Sequence, residues 1–432
     1  MTNTSPKELA AAVQFGSPRE VREARLELYT QATQAGIRLA SIQELYMARA
    51  RGEHQTKFSV PALNIRGTSF FIMRAIFRAA KRQDAGAFIF ELARSEMGYT
   101  KQSPEEYVAM VLAAALAEKW TGPVFVQGDH FQAKAARSGV AKVGEIESIK
   151  KLIDSSLAAG ILNIDIDMST LVDLEKVTVE DQQVPNVRFT NELQDFIRER
   201  EQKGIVTSVG GELGHIGGTN STKEECEVFL SQVPGLSKLS IQTGTQHGGV
   251  VSEDGTVQKM TVDFSLHKEL SGFIREKFGL AGTVQHGAST LQDEAFHILP
   301  ESEAVEVHLA TGIQNMIFDH PAFPENLLLA MYGFVDEKYG NERGKMTEAQ
   351  FHYRMRKNGW GEFKRELWEM PESVSETLSN VVEEWMTRMF GWLETTGTKG
   401  LVNKTIRHPA FEPMIRSEKT EVSAEETKGL GD

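Results

Sequence analysis

Residues 123–130 read Pro123-Val124-Phe125-Val126-Gln127-Gly128-Asp129-His130, an apolar run that stops on a glycine and two residues able to do chemistry. A short apolar run bounded by glycine or proline predicts a buried strand. The same form recurs over residues 59–65, 87–92, 161–167, 205–209, 238–242, 283–285 and 315–318, with helical patterns such as 70–82 and 104–119 between the runs. Eight strands alternating with helices predict a parallel sheet, and eight is the number that closes a barrel. An open doubly wound sheet is the alternative. The run ends decide between them: Asn64, Glu91 with Ser95, Asp129-His130, Asp167 with Ser169, Glu212, His247, His286 with Ser289, and Asp319. A barrel gathers all C-terminal strand ends on one face, whereas an open sheet spreads them along a crevice. The expected fold is an α/β (β/α)₈ TIM barrel.

The barrel is expected over residues 57–325. Before it, residues 1–56 form a helical segment, with starts signalled by Ser17-Pro18-Arg19-Glu20 and Ser41-Ile42-Gln43-Glu44. After it comes a helical C-terminal extension over 326–416. There Ser373-Val374-Ser375-Glu376 opens a helix with Val374, Leu378, Val381, Val382, Trp385, Met389 and Trp392 on one face, suited to packing on the barrel or on another subunit. Residues 417–432 are polar and charged and are expected to be disordered.

Composition narrows the function. The net charge of −13 makes nucleic acid and anionic membrane poor partners, so any phosphate site must be local. With one cysteine, Cys226, the chain forms no internal disulfide, and a zinc site must use His and carboxylate ligands. Residues 1–14 lack a signal-peptide pattern, and no run of ~18 apolar residues predicts a membrane span. The cytoplasm is the expected location.

Three histidines follow apolar runs in similar settings: Gly128-Asp129-His130, Gln246-His247-Gly248 and Gln285-His286-Gly287. Singly, each reads as an ordinary hydrogen-bonded histidine. Three imidazoles with an open position, however, make a catalytic Zn²⁺ site, and Glu212 ends another strand with a carboxylate. Asp129 has two readings, moving protons at a metal-bound substrate or orienting the ligand beside it. Adjacent strand residues point to opposite faces, so Asp129 and His130 both reach the metal only if the chain turns there. Gly248-Gly249 and Gly287-Ala288-Ser289 are turns where backbone N–H groups can approach a phosphate, or simply strand-to-helix turns.

These segments resemble, in order, the class II, metal-dependent fructose-bisphosphate aldolases over residues 39–319. The resemblance rests on Phe58-Ser59-Val60-Pro61-Ala62-Leu63-Asn64, Gly128-Asp129-His130, Asp167-Met168-Ser169, Gly211-Glu212-Leu213-Gly214-His215-Ile216-Gly217-Gly218, Thr243-Gly244-Thr245-Gln246-His247-Gly248 and Gln285-His286-Gly287-Ala288-Ser289. It implies that His130, His247 and His286 bind Zn²⁺ or another divalent metal, with Glu212 a further ligand. It also implies that Asp129 handles the proton of the hydroxyl whose C–C bond breaks. Gly248, Gly287 and Ser289 would hold the ketone-side phosphate with a monovalent cation nearby, and Asn64 and Ser95 would touch the substrate. The implied partner is a small phosphorylated sugar. The implied reaction cleaves fructose 1,6-bisphosphate to dihydroxyacetone phosphate and glyceraldehyde 3-phosphate, as in glycolysis and gluconeogenesis. A homo-oligomer, dimer or tetramer, is expected.

Two departures from the family pattern stand out. Thr219 and Asn220 occupy the positions of an acidic pair that moves the proton at the enediolate carbon, leaving Glu224 and Glu225 as replacements. The family's last-strand motif, Asn-Ile-Asp-Thr-Asp, reads Ile317-Phe318-Asp319-His320-Pro321 here, so Asp319 is kept as a substrate contact and the asparagine is lost. Arg354 and Arg356 are candidates for the second phosphate. The alternatives are an aldolase for another phosphorylated ketose such as tagatose bisphosphate, a non-catalytic aldolase-like subunit, and a metal-dependent hydrolase.

Overall fold

The computed structural model describes residues 4–54, 57–214, 219–244, 252, 262–415 and 422–430. Eight parallel strands close into a barrel: β1 Val60–Asn64, β2 Ile89–Ala93, β3 Gly122–Gln132, β4 Asn163–Asp167, β5 Ser208–Glu212, β6 Lys238–Ser240, β7 Thr283–Gln285 and β8 Glu306–Leu309. Each pairs with the next in chain order, and β8 closes on β1 from Glu306↔Val60 to Leu309↔Leu63. The expected (β/α)₈ barrel is the observed fold.

The eighth strand corrects the sequence reading. Residues 315–318 lie in the helix Thr311–Phe318. The strand is Glu306–Leu309, whose alternation of Glu-Val-His-Leu follows the two-residue period of a strand. Val307 and Leu309 join the core under the helices, while Glu306 and His308 meet other strands' side chains inside the barrel.

That alternation divides every strand. Leu63, Phe90, Val126, Ile164 and Val209 pack outward beneath the helices. Val60, Ala62, Ile89, Phe125 and Val284 form a smaller apolar cluster that fills the N-terminal part of the interior. The C-terminal part is left to polar side chains, the usual place for a barrel's chemistry.

Residues before the barrel include the helices Pro6–Phe15, Pro18–Gln34 and Gln43–Ala50. The Ser17–Glu20 capping box forms as predicted. The segment expected to be helical also holds a strand, Ile37–Ala40, which pairs with the start of β3 from Ile37↔Gly122 to Ala40↔Phe125. Beyond the barrel, the helix Glu372–Trp392 starts behind Pro371 and packs on the helix Ser69–Arg82. Arg78 Nε and Arg82 Nη2 each lie 2.5 Å from the Glu383 carboxylate. Leu378, Val382, Trp385 and Met389 are buried there, so packing within the chain accounts for most of the stripe. Residues 422–430, within the stretch expected to be disordered, carry a turn of helix, Ala424–Thr427, and Glu426 Oε1 accepts from Ser148 Oγ at 2.5 Å. Among the described residues, no helix is long and apolar enough to cross a membrane.

Candidate metal and active site

The site starts from an irregularity in β3. The pairing of β3 with β4 slips between Gly128 and Phe131, and His130 takes a positive φ of 42°. Such a bulge adds a residue to one strand and re-aims its side chains. Asp129 and His130 therefore both face the interior, although they are neighbours. Gly128 makes the bulge possible: a Cβ there would lie 2.4 Å from the Phe131 ring.

Four strands bring partners to these two residues. His130 Nδ1 lies 3.0 Å from Asp167 Oδ2 on β4 and 3.2 Å from Glu212 Oε2 on β5. Asp167 is itself oriented by the Ser169 backbone N–H at 3.0 Å and hydroxyl at 2.6 Å. The ring of His286, one residue past β7, stands 4.4 Å from that of His130, centroid to centroid. Its Nε2 is 3.0 Å from Ser240 Oγ on β6. On the other side, Asn64 Nδ2 donates to Asp129 Oδ2 at 3.3 Å and to Glu96 at 3.0 Å.

Burial disfavours charge on Asp129, but the adjoining His130 and His308 outweigh it and hold the carboxyl well below the usual carboxylate range. Burial also disfavours charge on His130, yet Asp129 and Glu212 hold its value well above that of free histidine. For Glu212, burial and then the charge of Asp167 push the carboxyl up to about 7. In the absence of metal, the cluster thus shares protons among carboxylates and imidazoles.

These residues fit a divalent metal. Asp129, His130 and His286 offer ligand atoms within 4.8 Å of one another, as do His130, Asp167 and Glu212. Glu212 Oε1 and Asp129 Oδ1 are buried with no hydrogen-bond partner among the described residues. Imidazole and carboxylate donors suit Zn²⁺ and its neighbours.

The other candidates fall in different places. His247 and Gly248 lie outside the described residues, as do His215, Gly217 and Gly218. Ser95 is buried in the helix Arg94–Thr100 after β2. Gly287, at φ 70°, precedes the turn Ala288–Thr290, and Ser289 Oγ accepts from the Ala310 N–H at 2.7 Å. Glu224 and Glu225 do not join the cluster: both sit in the first turn of the helix Lys223–Gln232, where Glu225 caps Thr222 and Glu224 is exposed. Asp319 ends a helix rather than a strand, and Arg356 Nη2 donates to it at 3.2 Å. The sequence reading also missed residues. His308 stands with its ring 4.1 Å from that of His286. Lys238 is buried between Asp165, at 2.9 Å, and Glu306. The two-residue spacing of Glu306 and His308 was the available signal.

The family model for class II fructose-bisphosphate aldolases matches residues 47–391. No curated protein sequence matches the chain. Among solved structures, the YdjI aldolase from Escherichia coli K12 is similar at 16% identity and a TM-score of 0.51, covering 83% of this chain and 99% of that one. A fructose-bisphosphate aldolase from Campylobacter jejuni is similar at 16% identity and a TM-score of 0.52, covering 84% and 97%.

Proposed function

The chain belongs to the class II fructose-bisphosphate aldolase family, and from that premise we propose that it cleaves and forms a carbon–carbon bond in a ketose phosphate, fructose 1,6-bisphosphate being the leading substrate. The observation that carries this reading is the convergence of Asp129 and His130 from β3 with His286 from the end of β7. His130, His286 and Glu212 would hold a divalent ion, with His247 as the third imidazole. When bound, the ion would polarise the substrate ketone and stabilise the negative charge left as the bond breaks.

The remaining work falls to the protein's own side chains. Asp129, held as a carboxylate, would take the proton from the hydroxyl beside the breaking bond and return it in synthesis. Asn64 fixes the second oxygen of that carboxylate and would reach the substrate. The turn after Gly287 would present backbone N–H groups to the ketone-side phosphate, together with Gly248 and a monovalent cation. Ser289 accepts a bond from Ala310, which leaves its own proton for a phosphate oxygen.

The test is condensation of dihydroxyacetone phosphate with a panel of aldehydes, with and without chelator. Metal-dependent product from glyceraldehyde 3-phosphate supports fructose 1,6-bisphosphate. Product from another aldehyde instead supports the second reading, an aldolase for a different phosphorylated ketose such as tagatose bisphosphate. The absence of acids at Thr219 and Asn220 favours a third reading, a non-catalytic aldolase-like subunit, and the retained ligands oppose it. No product from any aldehyde, with metal bound, would leave the non-catalytic subunit.

A further inference from the structure

We propose that Glu91, Asp129 and His308 form a second divalent-cation site inside the barrel, beside the one assigned to His130 and His286. The three come from β2, β3 and β8 and are buried, at 0%, 3% and 5% exposure. Their ligand atoms lie within 4.8 Å of one another. His308 Nδ1 is 3.3 Å from Glu91 Oε2 and 3.3 Å from Asp129 Oδ1.

The division of labour within each side chain carries the inference. Each uses one polar atom to fix itself. Glu91 Oε2 accepts from Gln127 Nε2 at 2.9 Å. Asp129 Oδ2 accepts from Asn64. His308 Nε2 meets Glu306 Oε1 at 2.7 Å. The other atom of each, Glu91 Oε1, Asp129 Oδ1 and His308 Nδ1, is buried without a hydrogen bond among the described residues. Asp129 Oδ1 and His308 Nδ1 face each other at 3.3 Å, Glu91 Oε1 is buried without a bond among the described residues, and all three residues are held by outer partners, an arrangement that an ion between them would complete. A ligand histidine in particular turns its second nitrogen to a carboxylate, as His308 does to Glu306.

Charge points the same way. Lys238 pairs with Asp165 and Glu306, whereas Glu91 and Asp129 face imidazoles. An imidazole that binds metal is neutral, so a bound ion would take over from His308 the balancing of these two carboxylates. One imidazole and two carboxylates suit a first-row divalent ion such as Zn²⁺ or Mn²⁺. The set shares no residue with the His130–Asp167–Glu212 group and shares Asp129 with the Asp129–His130–His286 group. Oδ1 of Asp129 would bind this ion, and Oδ2, on the Asn64 side, stays turned toward the substrate. The proposal does not depend on the aldolase reading.

Metal content tests it without reference to activity. Protein saturated with Mn²⁺ should hold one more ion per chain than His308→Asn or Glu91→Gln, measured by native mass spectrometry. Anomalous scattering from Mn²⁺-soaked wild-type crystals should show a peak within ligand distance, about 2.0–2.3 Å, of Glu91, Asp129 and His308. If the variants fail to fold, the wild-type map decides alone. Equal ion counts in all three folded proteins, or a map filled at His130 and His286 but empty here, would overturn the proposal. So would a doubly protonated His308 ring in the Mn²⁺-free, Zn²⁺-saturated protein by nitrogen NMR, which would make it a counter-charge and not a ligand.

Discussion

The rings of His130 and His286 stand 4.4 Å apart, centroid to centroid, although one comes from the third strand of the barrel and the other from the end of the seventh. Each has a polar partner on one ring nitrogen, Asp167 for His130 and Ser240 for His286. A partner there fixes the tautomer and orientation of a ligand imidazole. The packing of the two rings is therefore that of a ligand pair supported from behind.

Asp167 is the support whose loss is easiest to read. Its Oδ2 holds His130 Nδ1 at 3.0 Å, and Ser169 holds Asp167. Asp167→Asn should weaken metal binding by roughly 10–100-fold, the usual effect of removing such a partner. Titration of the chelator-stripped protein with Zn²⁺ measures it. An unchanged affinity would mean that Glu212 alone orients the ring.

Asp129→Asn should keep the ion held by His130 and His286 while turnover falls by about 10²–10⁴-fold. The motive is a carboxyl kept charged by its neighbours and fixed by Asn64. Crystallographic occupancy at the two histidines and the rate of sugar phosphate cleavage read the two effects separately. Loss of that ion in the variant would make Asp129 a structural ligand.

The bulge in β3 depends on a missing side chain. Gly128→Ala would set a Cβ 2.4 Å from the Phe131 ring. Overpacking of this kind typically costs about 1–3 kcal/mol. Denaturant unfolding should show that loss. Because the bulge aims Asp129 and His130, the variant should also bind metal more weakly, and a stable variant with unaltered metal affinity would contradict the role given to Gly128.

The Glu212 carboxyl sits at about 7 in the metal-free fold against an ordinary 4.5. An acid with a raised folded value stabilises the fold below its unfolded value and loses that contribution as pH rises to the folded one. The metal-free protein should lose roughly 3 kcal/mol from this group between about pH 4.5 and about pH 7. Glu212→Gln should flatten that part of the profile. Urea unfolding across this range compares them, and parallel profiles would show that Glu212 does not titrate there.

Much of this was legible in the chain because chemistry and strand ends coincide. Asp129-His130, Glu212 and His286 each close an apolar run, and apolar runs mark strands. The same rule failed at the eighth strand. Glu306-Val307-His308-Leu309 is half polar because its inward face lines a polar cluster, whereas Ile317 and Phe318 are apolar because they are buried in the helix Thr311–Phe318, which packs on the helix Glu372–Trp392. Hydrophobicity thus points to the wrong segment, and residues 317–321 do not lie on the last strand. His308 and Lys238 were missed for a related reason: ionisable groups inside a barrel look like surface residues until the closure of the strands is known. The capping box between Thr222 and Glu225 is a local device that the sequence spells out.

The cluster around His130 and His286 is proposed to activate a ketose phosphate. Exchange of a carbon-bound proton of dihydroxyacetone phosphate with deuterated water tests it most directly, because that half-reaction needs no aldehyde and is blind to which sugar is the substrate. Proton NMR should show loss of one carbon-bound proton signal with the metal-loaded protein, abolished by chelator and restored by Zn²⁺. A metal-loaded protein that leaves the signal at the rate of buffer alone, or exchange that chelator does not affect, would contradict it.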